Sequence, residues 1–459
     1  MIHIQKAKSS EKKQIYVPKE QFQSWQKEHI PKQLSFGSEH TQINVSPHEA
    51  EGSSWFISED VLKKLSLPFP ETLRFTKSLE HLSIGPLVGI FTAGFTNHSL
   101  RPIGERSFLF AKYLTAAQKA GVTAFVFGTP HIDWKRGRIQ GYFFHKSGWE
   151  KIEVPFPDVI YDRLPNRRAE KNERIQTVCN KLKREYAIHW FNPGFFNKWD
   201  MYEQLLHDPD TAKYMPETIQ YPSDKDIERL MQRYHHVYLK PVNGSLGHGV
   251  QQIIQPANDS FYYCRFRDGK QNRLRRYSSL KRLLEQQIGH DRSHLIAQQG
   301  IDLLQHDRHA IDFRLHTNKN IDGKWIISAT AAKIAGSGSV TTHVRSGGEV
   351  KTTQEILETL QEKKTLLHKL RKTALTLSEV IDDKVRGHVA EIGFDLGIDR
   401  DYNVWMFEAN SKPGRTIFNH PKMQQSDWKT RTLPFEYAVY AFKQQKQALH
   451  HENERTILS

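Results

Sequence analysis

Cysteine is almost missing from this sequence. Cys179 and Cys264 are the only two in 459 residues, which excludes a disulfide framework and a thiolate zinc site and points to a reducing, intracellular, cytoplasmic setting. Acidic residues are also in short supply: Asp and Glu number 51 against 66 Lys and Arg, a formal charge of +15. Such a field favours polyanions, whether nucleotides, acidic polymers, nucleic acid or an anionic surface; the alternative is a merely solvated basic surface. No nucleic-acid recognition motif accompanies the charge, so nucleic acid is not expected as a partner. No window reaches the roughly 18 consecutive apolar residues of a membrane span, and "MIHIQKAKSSEKKQIYV" lacks the apolar core of a secretory signal. The remainder, 37% apolar and 25% charged, suits a folded chain of two or three domains.

Short alternating runs such as "KQIYV" and "TQINV", broken by Pro and Gly, predict a small β-rich module over 1–84. The pattern changes at Gly85. "PLVGIF", the helix-like "RSFLFAKYLTAAQKAG" and "VTAFVFG" read as a βαβ unit with a parallel sheet, extended by a hairpin and by "DVIYDRLP" into an open α/β domain over 85–190. A third region follows over 191–440. Helices are expected at "NKWDMYEQLLHD", at "SDKDIERLMQRY" with Ser223 as N-cap, and within 352–383, where leucines recur at helical spacing. Strands are expected at "HVYLKP", "GVQQIIQ", 295–303, 310–318, 324–335, 388–399 and 402–410, and a polar tail over 441–459. The basic stretch 264–287 reads as a helix packed on this region, with steering of an acidic substrate as the other possibility. The fold class is therefore α/β and α+β multidomain.

Three constellations carry chemistry. In "VYLKPVNGSLGHGV", Lys240 ends an apolar strand and Gly244, Gly247 and Gly249 follow in a loop with Ser245. Neither GxxxxGK[ST] nor GxGxxG is present, and a strand rather than a helix follows, so both common phosphate loops fail on spacing. What remains is an ordinary turn, or a hairpin whose N–H groups cover phosphates while Lys240 neutralises charge. In "GFDLGIDRDYNVWMFEANSKPGR", Asp395 and the pair Glu408 and Asn410 end neighbouring strands. Two carboxylates and an amide oxygen form a hard oxygen site suited to Mg²⁺; a solvated hairpin end with an Arg partner is the alternative. Arg314, Lys333, His343 and Arg345 supply cations that would stabilise charge on a departing phosphate, unless each is only a surface residue.

In this order the motifs resemble an ATP-grasp enzyme from about Asn197 to Arg415. "YLKPVNGSLGHGV" is similar to the lysine strand and glycine-rich lid of that superfamily, "LIAQQGI" to its adenine-facing hinge, "IDFRL" to its arginine strand and "VWMFEANSKPG" to its metal hairpin. The wording of "GPLVGIFT", "NPGFFNKWDMYEQL" and "VWMFEANSKPGR" resembles the YheC/YheD group, linked with the endospore coat of spore-forming bacilli. The resemblance implies an ATP-grasp fold at 191–440, preceded by a pre-ATP-grasp, Rossmann-like domain and the N-terminal module. It implies ATP and Mg²⁺ as cofactors. Lys198 and Lys240 would contact phosphates, with Gly244, Ser245, Gly247 and Gly249 closing over them. The backbone of Gln299, Gly300 and Ile301 would meet adenine, with Gln298 nearby. Asp395, Glu408 and Asn410 would hold the metal, and Arg314, Lys333 and Arg345 would act on the transferred phosphoryl group. Two departures stand out: Gln298 and Gln299 replace the acidic residue of many hinges, and His343 stands where related amide ligases often place asparagine.

The first function implied is a ligase that activates a small-molecule or peptide carboxylate as an acylphosphate for attack by an amine or thiol, in spore coat formation and with spore coat proteins as partners. The second is a nucleotide-binding scaffold for coat assembly. The third is a basic polyanion-binding protein whose acidic hairpin is only a turn.

Overall fold

Alternation along the first strands after residue 86 decides how the N-terminal half packs. The structure is a computed structural model that describes every residue except 9–10, 50–51, 69–71, 243–248, 270, 343–346, 359–362 and 459, and only the backbone at 363 and 449–458. In the strands Leu87–Phe91 and Thr123–Phe127 every residue is buried, so both faces of their sheet need a cover. These strands run parallel to one another, to Val159–Asp162 and to His189–Phe191, and the hairpin Arg138–His145/Gly148–Pro155 joins beside them. Val88, Ile90, Ala124 and Val126 share a core with Phe110 and Leu114 of the helix Ser107–Lys119 and with Phe435 and Phe442 of the C-terminal helix Gln424–Leu458. The alternate residues Leu87, Phe91, Phe125 and Phe127 pack with Leu34 and Phe36 of the N-terminal module and Leu182 of the helix Glu173–Arg184. Each fully buried phenylalanine here contributes about 1.5–3 kcal/mol. The module over 1–84 is β-rich, with a five-stranded and a four-stranded sheet, and Trp25 meets Trp55 edge-to-face at 5.4 Å.

The C-terminal half is built on two antiparallel sheets. One has the order Thr218–Gln220, Leu295–Gln299, His236–Pro241, Gln251–Ile254, Tyr262–Asp268, Gln271–Tyr277. The other has the order Glu349–Thr352, Trp325–Ile334, His309–Lys319, Glu391–Ile398, Val404–Asn410. The helix Lys363–Lys384 lays Leu366, Leu370, Ala374, Leu377 and Ile381 on Phe313, Leu315 and Phe394 of the second sheet, the stripe that helical leucine spacing predicts.

Two expectations change. The basic stretch 264–287 is mainly a β-hairpin, Tyr262–Asp268/Gln271–Tyr277, with helix confined to its end, an α-helical turn at Leu280–Leu283 running into a π-helical turn at Leu284–Ile288. Cys264, Phe266, Tyr277 and Leu283 do bury themselves in the core of the first sheet. The boundary at 440/441 falls inside the C-terminal helix, where Ala441 and Phe442 are buried.

Candidate functional site

The two antiparallel sheets enclose a cavity of about 260 Å³. Its lining includes an apolar set, Ile296, Ile301, Leu303 and Met406, and a charged set, Lys198, Lys240, Asp312, Lys333, Asp395 and Glu408. Lys198 is the first residue of the helix Lys198–Leu206, whose N-cap Asn197 accepts a hydrogen bond from the Trp199 N–H. Its ammonium lies 3.5 Å from Glu408. Lys240 reaches the cavity from the opposite sheet and donates through Nζ to Gln298 Oε1, while Gln298 Nε2 donates to Thr218 Oγ1 at 3.0 Å. Burial, then the charge of Lys198, pushes the Lys240 ammonium down to about 8; a lysine in this state is poised to gain from an incoming anion.

On the facing sheet, Arg314 and Asp395 are register partners across neighbouring strands. Arg314 donates through Nε at 3.0 Å and Nη2 at 2.9 Å to the two oxygens of Asp395, the bidentate geometry in which arginine binds carboxylate best. Gly393 makes room for this: a Cβ there would meet Pro413 at 2.5 Å and Arg314 Nη1 at 3.1 Å. Lys333 bridges two carboxylates, 2.7 Å from Asp395 Oδ1 and 2.9 Å from Asp312 Oδ1. Burial opposes ionisation of Asp395, but Arg314 and Lys333 outweigh it and hold the carboxyl well below the usual range. Burial also opposes the charge on Lys333, which Asp312 and Asp395 restore and raise. Asp312 goes the other way: burial lifts its pKa despite Lys333. Thr342 Oγ1 donates to its second oxygen, and Ser339–Thr342 line the cavity.

The expected residues therefore divide. Lys198, Lys240, Gln298, Gln299, Ile301, Lys333, Asp395 and Glu408 line one cavity. Arg314 is paired behind Asp395 and is not among the lining residues. The N–H groups of Gln299 and Gly300 already donate to Glu217 O and His236 O, each at 2.8 Å. Gly300 is pressed on the His236 ring, which a Cβ would meet at 2.2 Å. Gly249 adopts φ +73; Gly244, Ser245, Gly247, His343 and Arg345 lie outside the described residues. Asn410 follows Glu408 on the same face of its strand but is not a lining residue. Asp312 and Thr342 are new to the site. The alternation of Asp312 with Arg314 between buried apolar residues signals the first; nothing in the local sequence signals the second.

A divalent cation fits this donor set in one way. Among the described residues no group of three or more His, Cys, Asp or Glu is placed to hold a metal by itself. Asp395 and Glu408 nevertheless face each other in register, and Asp395 accepts three hydrogen bonds out of about four lone-pair positions. Mg²⁺ characteristically uses one or two carboxylates and completes its shell with water and substrate phosphate.

Comparison with known proteins adds the following. Residues 187–441 match the model of the YheC/D-like ATP-grasp family. The chain is 42% identical over 407 residues to the endospore coat-associated protein YheD of Bacillus subtilis, covering 88% of this chain and 90% of that one. It is 23% identical over 365 residues to the endospore coat-associated protein YheC of the same organism, covering 78% and 98%. Among solved structures, the D-alanine-D-alanine ligase from Coxiella burnetii superposes with a TM-score of 0.43 at 13% identity, over 81% of this chain and 98% of that chain.

Proposed function

Because the chain belongs to the YheC/D-like ATP-grasp family, we propose that it is an ATP- and Mg²⁺-dependent ligase that activates a carboxylate as an acylphosphate for attack by an amine. The observation that carries this reading is the convergence of Lys198, Lys240, Lys333, Asp395 and Glu408 on one cavity with an apolar flank. A planar base would occupy that flank, beside Ile301 and Met406, and the phosphates would lie toward Lys198 and Lys240. Asp395 and Glu408, with Asn410 beside them, would hold Mg²⁺, which would supply positive charge to neutralise phosphate oxygens. Arg314 fixes the orientation of Asp395. Lys333 sits where negative charge would develop on the transferred phosphoryl group, and its ammonium is kept protonated by Asp312. No side chain need form a covalent intermediate, because placement and charge stabilisation suffice for in-line transfer.

Both curated relatives are named endospore coat-associated, so the reading extends to a cytoplasmic protein acting in spore coat formation. No helix among the described residues is long and apolar enough to cross a membrane. The same two names favour a second reading, a nucleotide-binding scaffold in coat assembly without turnover. Incubation with ATP, Mg²⁺ and pooled carboxylates and amines separates the two: release of ADP and phosphate supports the ligase, and none across a broad screen supports the scaffold.

A further inference from the structure

The hairpin Tyr262–Asp268/Gln271–Tyr277 has chemistry that nucleotide binding does not use. Gln271–Tyr277 is the last strand of its sheet, and among the described residues no strand pairs with its outer edge. Arg273, Leu274, Arg275 and Arg276 are consecutive exposed residues in it, and Leu274 is 55% exposed. Open, exposed edges invite pairing with another chain. Between 262 and 288 the sequence carries six arginines and two lysines against only Asp268 and Glu285, so this edge bears a concentrated share of the positive charge.

Register links the edge to the cavity. Tyr238 pairs with Gln252, Gln252 with Arg265, and Arg265 with Leu274. The first three of that row line the cavity, and Leu274 is the next step outward. Asn272, two residues earlier on the same face, donates through Nδ2 to Ser337 O at 3.0 Å, at the root of the loop whose Ser339–Thr342 line the cavity. Asp268 pairs with Gln271 at the closed end of the hairpin. Antiparallel alternation then turns the N–H and C=O groups of Asn272, Leu274 and Arg276 toward the open edge.

We propose that the strand Gln271–Tyr277 is a docking edge for an acidic, extended polypeptide segment, which adds as a further strand beside the cavity. The outward main-chain groups would pair with the incoming strand, Leu274 would cover an apolar side chain, and the arginines would meet its carboxylates. A nucleic acid would use the arginines but has no strand backbone to match the alternate N–H and C=O groups, so a polypeptide is the better fit.

The test is fluorescence anisotropy on the full chain with a fluorescein-labelled peptide of alternating Glu and Val. Saturable binding is expected. Leu274→Pro removes one outward N–H from an edge strand, where proline is tolerated; it should weaken binding about fivefold, the worth of one backbone hydrogen bond. The double variant Arg273→Glu/Arg276→Glu should abolish binding and needs no backbone change. Circular dichroism and the ATP-induced melting shift should be those of the wild type in both, so a failure here is distinct from a failure of the nucleotide site. No binding to the wild type, unaltered binding by both variants, or displacement by oligo-dT that binds wild type and Leu274→Pro alike would overturn the proposal.

Discussion

Asp395→Ala is the sharpest probe of the charged floor of the cavity. The substitution removes the carboxylate that takes both Arg314 hydrogen bonds and one from Lys333. Lys333 keeps Asp312 at 2.9 Å, whereas Arg314, its side chain 14% exposed, has no other ion-pair partner among the described residues. Removing one member of a buried pair costs about 3–5 kcal/mol, because the remaining charge is left desolvated. With a urea slope of roughly 3 kcal/mol/M, the midpoint should fall by about 1–1.7 M in ligand-free protein, followed by tryptophan fluorescence. The double variant Asp395→Leu/Arg314→Met should recover much of the loss, since an apolar pair of similar volume is often neutral. Acid titration reads the same carboxylate. The Asp395 carboxyl is depressed in the folded state, so its contribution is present above the unfolded value of about 3.9 and fades as pH falls below it. The acid limb of the alanine variant should be correspondingly flatter. A destabilisation below about 1 kcal/mol, the range of exposed pairs, would refute the reasoning.

ATP with Mg²⁺ should raise the melting temperature, by the equivalent of about 2.7 kcal/mol at a hundredfold excess over Kd, and Glu408→Ala should lose the Mg²⁺-dependent part; an unchanged shift removes Glu408 from the metal site. Lys240→Ala should weaken ATP binding about tenfold or more, as loss of a charged hydrogen bond does, measured by calorimetry. Affinity for ATP should fall as pH rises through about 8, where Lys240 loses its proton. The ligand-free protein should meanwhile gain stability from about 8 up to the unfolded value near 10.4, because there the unfolded chain binds the proton more tightly. A pH-independent Kd up to the alkaline limit would contradict the placement of that ammonium.

Much of this arrangement was legible before the fold. An apolar strand ending in Lys240, and Glu408 set directly after "VWMF" with Asn410 two residues on, both stand out through the cost of burying charge without a partner. The strand at 310–318 matched because Ile311, Phe313 and Leu315 alternate with polar residues, and that at 402–410 because it opens on the apolar run "VWMF". The basic hairpin misled because its outer strand is exposed on both faces at Arg273–Arg276, so no period-two contrast survives, and the genuine helical leucines at 280, 283 and 284 that follow it extended the helical reading back over the strands. The C-terminal helix was cut short by its polar composition, although Ala441 and Phe442 have a sheet to cover. The Asp312–Thr342 contact spans 30 residues through a loop, and local pattern holds no trace of such a meeting.

The C-terminal helix also sets a timetable. Phe435, Val439 and Phe442 close one face of the parallel sheet, yet they leave the ribosome roughly 250 residues after His189–Phe191 completes that sheet, about 12–50 s later at ordinary synthesis rates. Until then Val88, Ile90 and Val126 wait with half their cover missing, so a nascent chain stalled before residue 435 should be held by chaperones and readily cut by protease. A helix that emerges late thus seals a core whose first strands were made long before it.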